Sequence, residues 1–146
     1  MRLLVQRVKQ ASVSVRNELV GSIGPGLLVF LGVLDSDSEI ELNYLARKLV
    51  KLRIFSDLQD KMNLSVQDIQ GGILLISQFT LFADCLSGNR PSFFRAGKPE
   101  KAQKLYELFL EVLKKEGVKT ASGVFGASMQ VELINDGPVT LIIDSK

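Results

Sequence analysis

The sequence predicts a compact mixed α/β fold in which two helices lie among about eight strands. Apolar and polar residues alternate in the N-terminal stretch "LLVQRVKQASVSV", which is typical of half-buried strands. Farther along, two segments repeat apolar residues at helical spacing, and strand-like runs separate them. This order favours a mixed fold over a pure β-sandwich. We expect residues 1–146 to form a single domain, because a chain of this length buries enough surface for a core of its own.

The N-terminal part is predicted to consist of strands. They are expected at residues 2–9, 11–16 and 18–23, followed by a nearly wholly apolar run at 27–33. Turn residues separate these runs, at Asn17-Glu18 and at Gly24-Pro25-Gly26. A run as apolar as 27–33 is typical of a central strand that is buried on both faces.

Two helices are predicted from apolar spacing and from their end signals. The first is expected at about residues 38–50, where the pairs Ser36/Glu39 and Ser38/Glu41 both match the spacing of a capping box. The second is expected at about residues 99–116, with Pro99 in its first turn and Gly117 at its end. Its apolar stripe is formed by Ala102, Leu105, Tyr106, Phe109, Val112 and Leu113.

The remaining segments are predicted to be strands joined by loops. Strands are expected at residues 51–56, 73–82, 129–135 and 138–143. A polar, turn-rich loop follows the first of these, and another loop precedes residue 129. Residues 83–99 have no clear period, and a surface segment of this length suggests a function.

Composition excludes several kinds of chemistry. The chain has no histidine, which excludes an imidazole base, a Ser-His-Asp triad and histidine metal ligands. Its single cysteine, Cys85, can form neither an internal disulfide nor a thiolate zinc site, and it suits a reducing compartment. We therefore expect no metal and no cofactor. The net charge is only +2, and no stretch matches a signal peptide or a membrane span, so we expect a cytoplasmic protein without membrane contact.

Polar residues stand at the end of the buried run 73–82, where the sequence reads "SQFT" from Ser77 to Thr80. In α/β folds, strand ends are where polar groups meet a cleft. One interpretation is that these side chains satisfy neighbouring backbone groups. The other is that Ser77 or Thr80 is a nucleophile, which would need an adjacent base that the nearby sequence does not offer.

A basic segment spans residues 88–104. It carries one anion, Glu100, and five cations, Arg90, Arg95, Lys98, Lys101 and Lys104. Phe93 and Phe94 stand among the arginines. Cations interleaved with aromatic side chains suit a phosphate backbone and the stacked bases of a single-stranded RNA end. The alternative is a solvated helix face beside core phenylalanines.

Near the C-terminus, Gly137-Pro138 interrupts strand-forming residues. Proline cannot donate to a central ladder, so Pro138 is expected at an edge, a bulge or a turn. A glycine carbonyl beside a locked ring forms a rigid wall without side chains. On physical grounds alone, both a plain turn and a recognition element remain open.

Four stretches together resemble the D-aminoacyl-tRNA deacylase family: "MRLLVQRVKQASVSV" at the N-terminus, "SQFTLFAD" at 77–84, "GNRPSF" at 88–93 and "FGASMQVELINDGPVT" at 125–140. The similarity runs from Met1 to about Asp144. It implies a compact β/β/α deacylase-type fold and a homodimeric enzyme. Such an enzyme hydrolyses the ester between a D-amino acid and the terminal adenosine of tRNA.

The resemblance also implies roles for individual residues. Backbone amides near Phe79 and Thr80 would line the scissile carbonyl, with Ser77 in the same element, and Gln78 and Thr80 would position the substrate. Gly137-Pro138, joined by a cis bond, would reach into the partner subunit's site. There it would exclude L-amino acids sterically while admitting glycine. The expected substrate-binding residues are Phe125 and Met129 in the adenine pocket, together with Phe93 and Arg90, and the cations of residues 95–104 are candidates for phosphate contacts.

One departure from the family and three alternatives remain. Related sequences often carry a lysine or arginine before the glycine of "GNRPSF", whereas this chain has Leu86-Ser87, which puts its affinity for the acceptor stem in question. The main alternative is a non-catalytic module that binds a tRNA end or a nucleotide. The others are a threonine-nucleophile hydrolase of other esters or amides, and a purely structural homodimer.

Overall fold

A computed structural model describes residues 1–86 and 88–145; Ser87, in the predicted surface segment, and Lys146 lie outside the described residues. Within these ranges the chain forms eight strands, two α-helices and a 3-10 helix at Phe79–Phe82. In chain order they are β1 (Arg2–Val15), β2 (Glu18–Ile23), β3 (Gly26–Gly32), α1 (Glu39–Val50), β4 (Phe55–Ser56), β5 (Met62–Leu64), β6 (Gly72–Ser77), α2 (Pro99–Lys115), β7 (Lys119–Ser122) and β8 (Gln130–Asp144).

The main sheet is built around β1. β8 pairs antiparallel with β1 along nearly its whole length. β3 pairs with the first half of β1 and β2 with the second half, both antiparallel. β6 and β7 continue from β3 as parallel strands, which gives the order β2-β1-β3-β6-β7. Because β2 also lies against β7, the sheet curls into a near-barrel.

Each face of β3 and β6 packs on a different core. Leu27 and Ile73 belong to a large core that also contains the buried faces of α1 and α2. Leu28 and Leu74, the next residues along the same strands, belong to a smaller core inside the curled sheet. Burial on both faces explains why these strands read as unbroken apolar runs.

Both predicted helices are confirmed. Ser38 caps α1: its hydroxyl accepts from the Ile40 N–H at 3.2 Å, while the Glu41 carboxylate accepts from the Ser38 N–H at 2.7 Å. The Ser38/Glu41 pair is therefore the capping box that forms. α2 ends just before Gly117, whose φ of +79° is the left-handed conformation expected of a terminating glycine.

Several predicted strand boundaries are wrong. β1 is one strand rather than the two predicted at residues 2–9 and 11–16, because its pairing with β8 continues through irregular register between Gln6 and Gln10. The strand predicted at 51–56 shrinks to β4, which pairs with β5 inside the predicted loop. The strand predicted at 73–82 ends at Ser77, and β7 was missed altogether.

The strands predicted at residues 129–135 and 138–143 are a single strand, β8, and both halves pair with β1. Asn135 lies opposite Val8 and Thr140 opposite Gln6, so residues 136–139 bulge out of the ladder. We call residues 136–139 the β8 bulge. Its Gly137-Pro138 peptide bond is cis, and φ of Gly137 is +138°. The interpretation of Gly137-Pro138 as a plain turn between two strands is therefore wrong. Pro138 was expected at an edge, a bulge or a turn, and its position in a bulge is confirmed.

No helix formed by the described residues is long and apolar enough to cross a membrane.

Acid is expected to destabilise the fold. Hydrogen bonds from Ser38 to Glu41, from Asn63 to Asp57, from Ser65 to Asp68 and from Arg2 to Asp144 lower the pKa of each carboxyl in the folded chain. A lowered folded-state pKa contributes stability above the unfolded pKa, and this contribution is lost as pH falls through the folded value. We expect the melting temperature to be flat above about pH 5 and to fall below about pH 4. Thermal melts from pH 3 to 7 measure this, and Asp57→Asn should show a shallower fall.

Candidate active site

A cavity of about 680 Å³ lies at the carboxyl ends of the parallel strands β3 and β6. The first residues of α2 form one wall, and residues 125–131 form another. Phe93, Ala96 and Gly97 close a third side. The segment that holds them is tied to β3, because the Gly97 N–H donates to the Val33 carbonyl at 2.8 Å. Carboxyl ends of parallel strands are a common position for ligand sites in α/β proteins.

The "SQFT" residues form the edge of this cavity. Ser77 ends β6, and the Gln78 N–H still donates to the Leu31 carbonyl of β3 at 2.8 Å. The chain then enters the 3-10 helix at Phe79. The first N–H groups of a helix have no acceptor within it. The backbone N–H groups of Phe79 and Thr80 therefore make no hydrogen bond inside the 3-10 helix. Ser77, Gln78 and Phe79 line the cavity.

The side chain of Thr80 is exposed and held by its neighbour. The Gln78 amide donates to the Thr80 hydroxyl oxygen at 2.5 Å. This bond fixes both side chains at the start of the 3-10 helix. No base lies among the hydrogen-bond partners of Thr80 within residues 1–86 and 88–145.

Aromatic side chains give the cavity its apolar character. Phe79 and Phe93 meet edge to face with ring centroids 5.1 Å apart, and Phe125 lies 5.9 Å from the ring of Tyr106. The Tyr106 hydroxyl donates to the Leu75 carbonyl at 2.9 Å. Burial raises the pKa of Tyr106 to about 12, so its hydroxyl remains a neutral donor near neutral pH. Tyr106 therefore supports Phe125 from the core side.

Met129 also lines the cavity, and its position depends on Gly123. A Cβ built on Gly123 would lie 2.4 Å from the Met129 sulfur and 3.1 Å from Ile76 Cδ1. The Gly123 N–H donates to the Leu75 carbonyl at 3.2 Å, which holds this backbone beside β6. Glycine at position 123 therefore leaves the space that the Met129 side chain occupies at the cavity wall.

Four of the predicted site residues do not line the cavity. Thr80 lies next to it, as described above. Arg90, Gly137 and Pro138 are exposed on the surface of the chain. Of the other cations in the basic segment, Lys98 lines the cavity, whereas the Lys101 ammonium donates to the Asp35 carbonyl.

Arg7, beneath the β8 bulge, was not among the predicted site residues. It is only 8% exposed. Its Nη1 donates to the Ile54 carbonyl at 2.6 Å and its Nε to the Asp136 carbonyl at 2.9 Å. A signal was present, since Arg7 continues the buried alternation of Leu3 and Val5 along β1. An arginine on a buried strand face needs fixed partners, and here one of them is the bulge.

Asn135 holds the bulge at its base. Its Oδ1 accepts from the Val139 N–H at 2.8 Å, and its Nδ2 donates to the Val139 carbonyl at 3.1 Å. These two bonds join the residues on either side of Gly137-Pro138. The bulge is therefore held both across its base and from beneath by Arg7.

Comparisons with known proteins define the class and then the family. A family model described as D-Tyr-tRNA(Tyr) deacylase matches residues 4–144. A relative from Syntrophobacter fumaroxidans named D-aminoacyl-tRNA deacylase is 56% identical over 146 residues, covering 100% of this chain and 98% of the relative. One of the same name from Desulfotalea psychrophila is 53% identical, with the same coverage. The class of protein that these matches define is a hydrolase. The chain belongs to the D-Tyr-tRNA(Tyr) deacylase family.

Solved structures confirm the predicted fold class. One, described as a c-Myc DNA unwinding element binding protein, has a TM-score of 0.93 at 43% identity, covering 100% of this chain and 99% of that chain. Another, described as a probable eukaryotic D-amino acid tRNA deacylase, has a TM-score of 0.86 at 20% identity, covering 98% of each chain. The second likeness supports the fold alone.

Proposed function

We propose that this protein hydrolyses the ester bond between a D-amino acid and the terminal adenosine of tRNA. Relatives at 53–56% identity carry the name of this activity. The observation that carries the proposal is the apolar cavity of about 680 Å³ with backbone amides of the "SQFT" turn at its edge. The reaction would take place in the cytoplasm, where aminoacyl-tRNA is used.

The cavity suits a nucleoside with its ester at the rim. Phe125 and Met129 offer an apolar slot for adenine. An ester carbonyl at the start of the 3-10 helix would lie near the amides of Phe79 and Thr80. Two preorganised amides directed at a developing oxyanion are among the largest contributions an enzyme makes to ester hydrolysis. Positioning of an already activated ester supplies much of the rest.

The cavity favours a mechanism without a side-chain base. Among its lining residues the ionisable side chains are Lys98, which is exposed, and Tyr106, whose pKa is raised to about 12 by burial. Neither is a carboxylate or an imidazole. The substrate's own 2′-hydroxyl, next to the ester, is then the group best placed to assist attack. Thr80 and Gln78 position the ester.

Thr80→Val tests this mechanism. Valine preserves the shape of threonine but lacks the hydroxyl that accepts from Gln78. We expect kcat to fall by about tenfold or less, because positioning weakens while the backbone donors remain. Single-turnover deacylation measures the effect. A threonine nucleophile would instead lose essentially all activity and any acyl-enzyme with this change.

We also propose that the enzyme acts as a homodimer in which the β8 bulge of one subunit reaches the cavity of the other. β8 pairs with β1 on one side, and the described residues supply no strand on its other side. Four of its apolar side chains are between 36% and 62% exposed: Leu133, Ile134, Leu141 and Ile142. A long edge strand with exposed apolar residues is a ready surface for a second chain. A second copy is the occupant that would also deliver Gly137-Pro138 to a cavity.

Rigid main chain at this position would sort substrates by handedness. The side chain of an L-amino acid would meet the wall, whereas that of a D-amino acid would point away from it. Exclusion of this kind reads only the Cβ position, so it accepts many D-amino acids and cannot reject glycine. Glycyl-tRNA is therefore expected to be a substrate.

A paired deacylation assay tests the proposed function. D-tyrosyl-tRNA, L-tyrosyl-tRNA and glycyl-tRNA are incubated with the enzyme, and the remaining ester is measured against the uncatalysed rate. We expect rapid loss of the D-tyrosyl and glycyl esters and background loss of the L-tyrosyl ester. Tight tRNA binding with all three esters at background would support the non-catalytic binding module instead. Equal loss of the D- and L-tyrosyl esters would remove the chiral filter but keep the hydrolase.

Gly123→Ala tests the adenine slot. The added methyl would displace the flexible end of Met129 into the cavity, because the two would otherwise lie 2.4 Å apart. We expect KM for D-aminoacyl-tRNA to rise about tenfold with a smaller change in kcat, since a narrowed slot weakens ground-state binding. Gly24→Ala, where a Cβ meets nothing within 4 Å, is the control. An unchanged KM would place the adenosine elsewhere.

A further inference from the structure

A second concave surface lies along the outer side of α1, and it shares no lining residue with the cavity. We call it the α1 groove. It has a volume of about 920 Å³, and its polar lining residues are Asn43, Tyr44, Arg47, Lys48, Lys51 and Arg53. No carboxylate is among the residues that line it. The proposed reaction gives this groove no role.

The cations of the α1 groove are concentrated and mostly unneutralised. Four of the seven residues in "RKLVKLR", positions 47–53, are basic and none is acidic. In a chain whose net charge is only +2, this is a local excess. Two carboxylates are near it: Glu116, 4.0 Å from Nε of Arg47, and Asp68, whose pKa is lowered first by hydrogen bonds from Ser65 and to a smaller extent by the charge of Arg53. An exposed pair at that distance cancels little of the field.

Two of these cations are held in place by uncharged groups. Arg53 donates to the Asn63 carbonyl at 2.7 Å and to the Asn63 side-chain oxygen at 3.0 Å. Lys48 lies over the ring of Tyr44, with its ammonium 5.7 Å from the centroid. Neutral partners fix these two side chains without removing their charge. The side chains would therefore lose less conformational entropy when an anionic ligand binds.

We propose that the α1 groove binds the phosphate backbone of the double-stranded stem of tRNA while the acceptor end occupies the cavity. This inference rests on the proposed function. It adds a contact surface separate from the basic segment 88–104.

The segment that leads into α1 is tied to the wall of the cavity. Asp35, just before α1, accepts from the Lys98 N–H at 2.8 Å, and Lys98 lines the cavity. From there α1 runs for 12 residues, or about 18 Å, to the basic end of the groove. Glu39 and Glu41 lie in the first turn, so phosphate contacts are expected only toward Arg47 and beyond. A stem leaving the cavity along α1 would reach these cations.

A purely structural role for the same cations must be distinguished from the proposed phosphate binding. Arg47 and Lys48 lie in the last turn of α1, where positive charge also stabilises the helix dipole. Lys51 and Arg53 follow the helix. A structural role predicts a lower melting temperature on their removal, with no change in RNA binding or in its salt dependence.

The test uses K48Q/K51Q, which removes two exposed charges of the groove and leaves polar, uncharged side chains in their place. The matched control is K9Q/R16Q, which removes two exposed charges on the β1–β2 hairpin. Two substrates are compared for each protein: full-length D-tyrosyl-tRNA, and 3′-O-D-tyrosyl-adenosine, which has no stem. Binding of uncharged tRNA is measured in parallel by fluorescence anisotropy between 50 and 200 mM salt.

For K48Q/K51Q we expect KM for D-tyrosyl-tRNA to rise about fivefold to tenfold, with KM for the adenosine ester unchanged. The slope of log Kd for uncharged tRNA against log salt should fall by roughly 1.5 to 2, as for two lost phosphate contacts. K9Q/R16Q should behave as wild type. Unchanged tRNA binding and slope in K48Q/K51Q would overturn the proposal, whatever happens to the melting temperature. So would binding of wild type, but not K48Q/K51Q, to phosphatidylserine vesicles with tRNA binding unaffected.

The two proposals fail in different ways. If wild type hydrolyses neither ester, the proposed hydrolase activity is wrong. The anisotropy measurement then still decides whether the α1 groove binds RNA. If wild type hydrolyses both esters and the groove variant equals it on both, the groove proposal fails alone.

Discussion

Replacing Arg7 with methionine is expected to lower kcat/KM for D-aminoacyl-tRNA by about a hundredfold while the chain remains folded. Arg7 ties the Asp136 carbonyl of the β8 bulge to the Ile54 carbonyl, and both bonds are lost together. Hydrogen bonds from a charged donor contribute about 1.5–3 kcal/mol each, so the bulge loses its main anchor. A displacement of about 1 Å in a positioning element costs roughly a hundredfold in rate. Deacylation kinetics with D- and L-tyrosyl-tRNA measure the effect.

Arg16→Met is the matched control for Arg7→Met. Arg16 directly follows the same strand, and its side chain is exposed, so its removal leaves the contacts of the β8 bulge unchanged. Arg7→Lys should fall between wild type and methionine, because an ammonium donates from a single nitrogen, whereas the guanidinium reaches the two carbonyls from two separate nitrogens, Nε and Nη1. If Arg7→Met keeps both its rate and its preference for the D-ester, the bulge has no part in catalysis or selection.

The same variant allows a complementation test of the proposed dimer. Arg7→Met leaves the cavity residues unchanged and removes the support beneath the bulge, whereas Ala127→Trp fills the cavity that Ala127 lines and leaves the bulge residues unchanged. Each is expected to be nearly inactive alone. Mixed and refolded together, heterodimers should regain one working site, in which the bulge of the tryptophan variant meets the cavity of the methionine variant. Absence of recovery in confirmed heterodimers would mean that each bulge serves its own chain or none.

Gly26→Ala is expected to have the largest effect on stability, lowering the melting temperature by about 10 °C or preventing folding. Gly26 lies opposite Gly72 where the parallel strands β3 and β6 begin. A Cβ at position 26 would stand 2.0 Å from the Gly72 carbonyl oxygen. Backbone in a central strand pair cannot move aside as a side chain can, so we expect a cost of about 3 kcal/mol or more. This is a large part of the roughly 5–15 kcal/mol that stabilises a typical domain.

Gly24→Ala, two residues earlier, provides the comparison. A Cβ there meets nothing within 4 Å. We expect no loss of stability and a gain of up to about 1 kcal/mol, because alanine restricts the unfolded chain more than glycine does. Thermal or denaturant unfolding of both variants measures the difference. Similar melting temperatures for the two would show that β3 and β6 can separate without cost.

The helices and the buried strands were predictable because their signals are local. The capping pair Ser38/Glu41 and the apolar stripe of α2 act over one or two helical turns, so neighbouring residues contain the necessary information. The apolar runs of β3 and β6 likewise indicate strands buried on both faces. The motifs "SQFT" and Gly137-Pro138 also gave the family resemblance, which the family match and the relatives confirm.

The strand errors come from pairing between distant segments. Nothing near residues 9–11 indicates that β1 continues, because its continuity comes from β8, more than a hundred residues later. The short strand β7 exists because it lies beside β6, and its own residues, Lys119–Ser122, alternate only weakly. The polar end of the run 73–82 leaves the sheet at Ser77 because the chain turns there into the cavity edge.

By itself the sequence determined the fold class, the two helices and the exclusion of histidine chemistry. Only the tertiary structure decided that Gly137-Pro138 lies in a bulge of one long strand, that Arg7 holds this bulge, and that Phe93, Phe125 and Met129 share a cavity with Ser77. Periodicity and capping act between near neighbours, whereas a bulge, a buried ion's partners and a cavity wall are made by residues that meet only when the sheet closes.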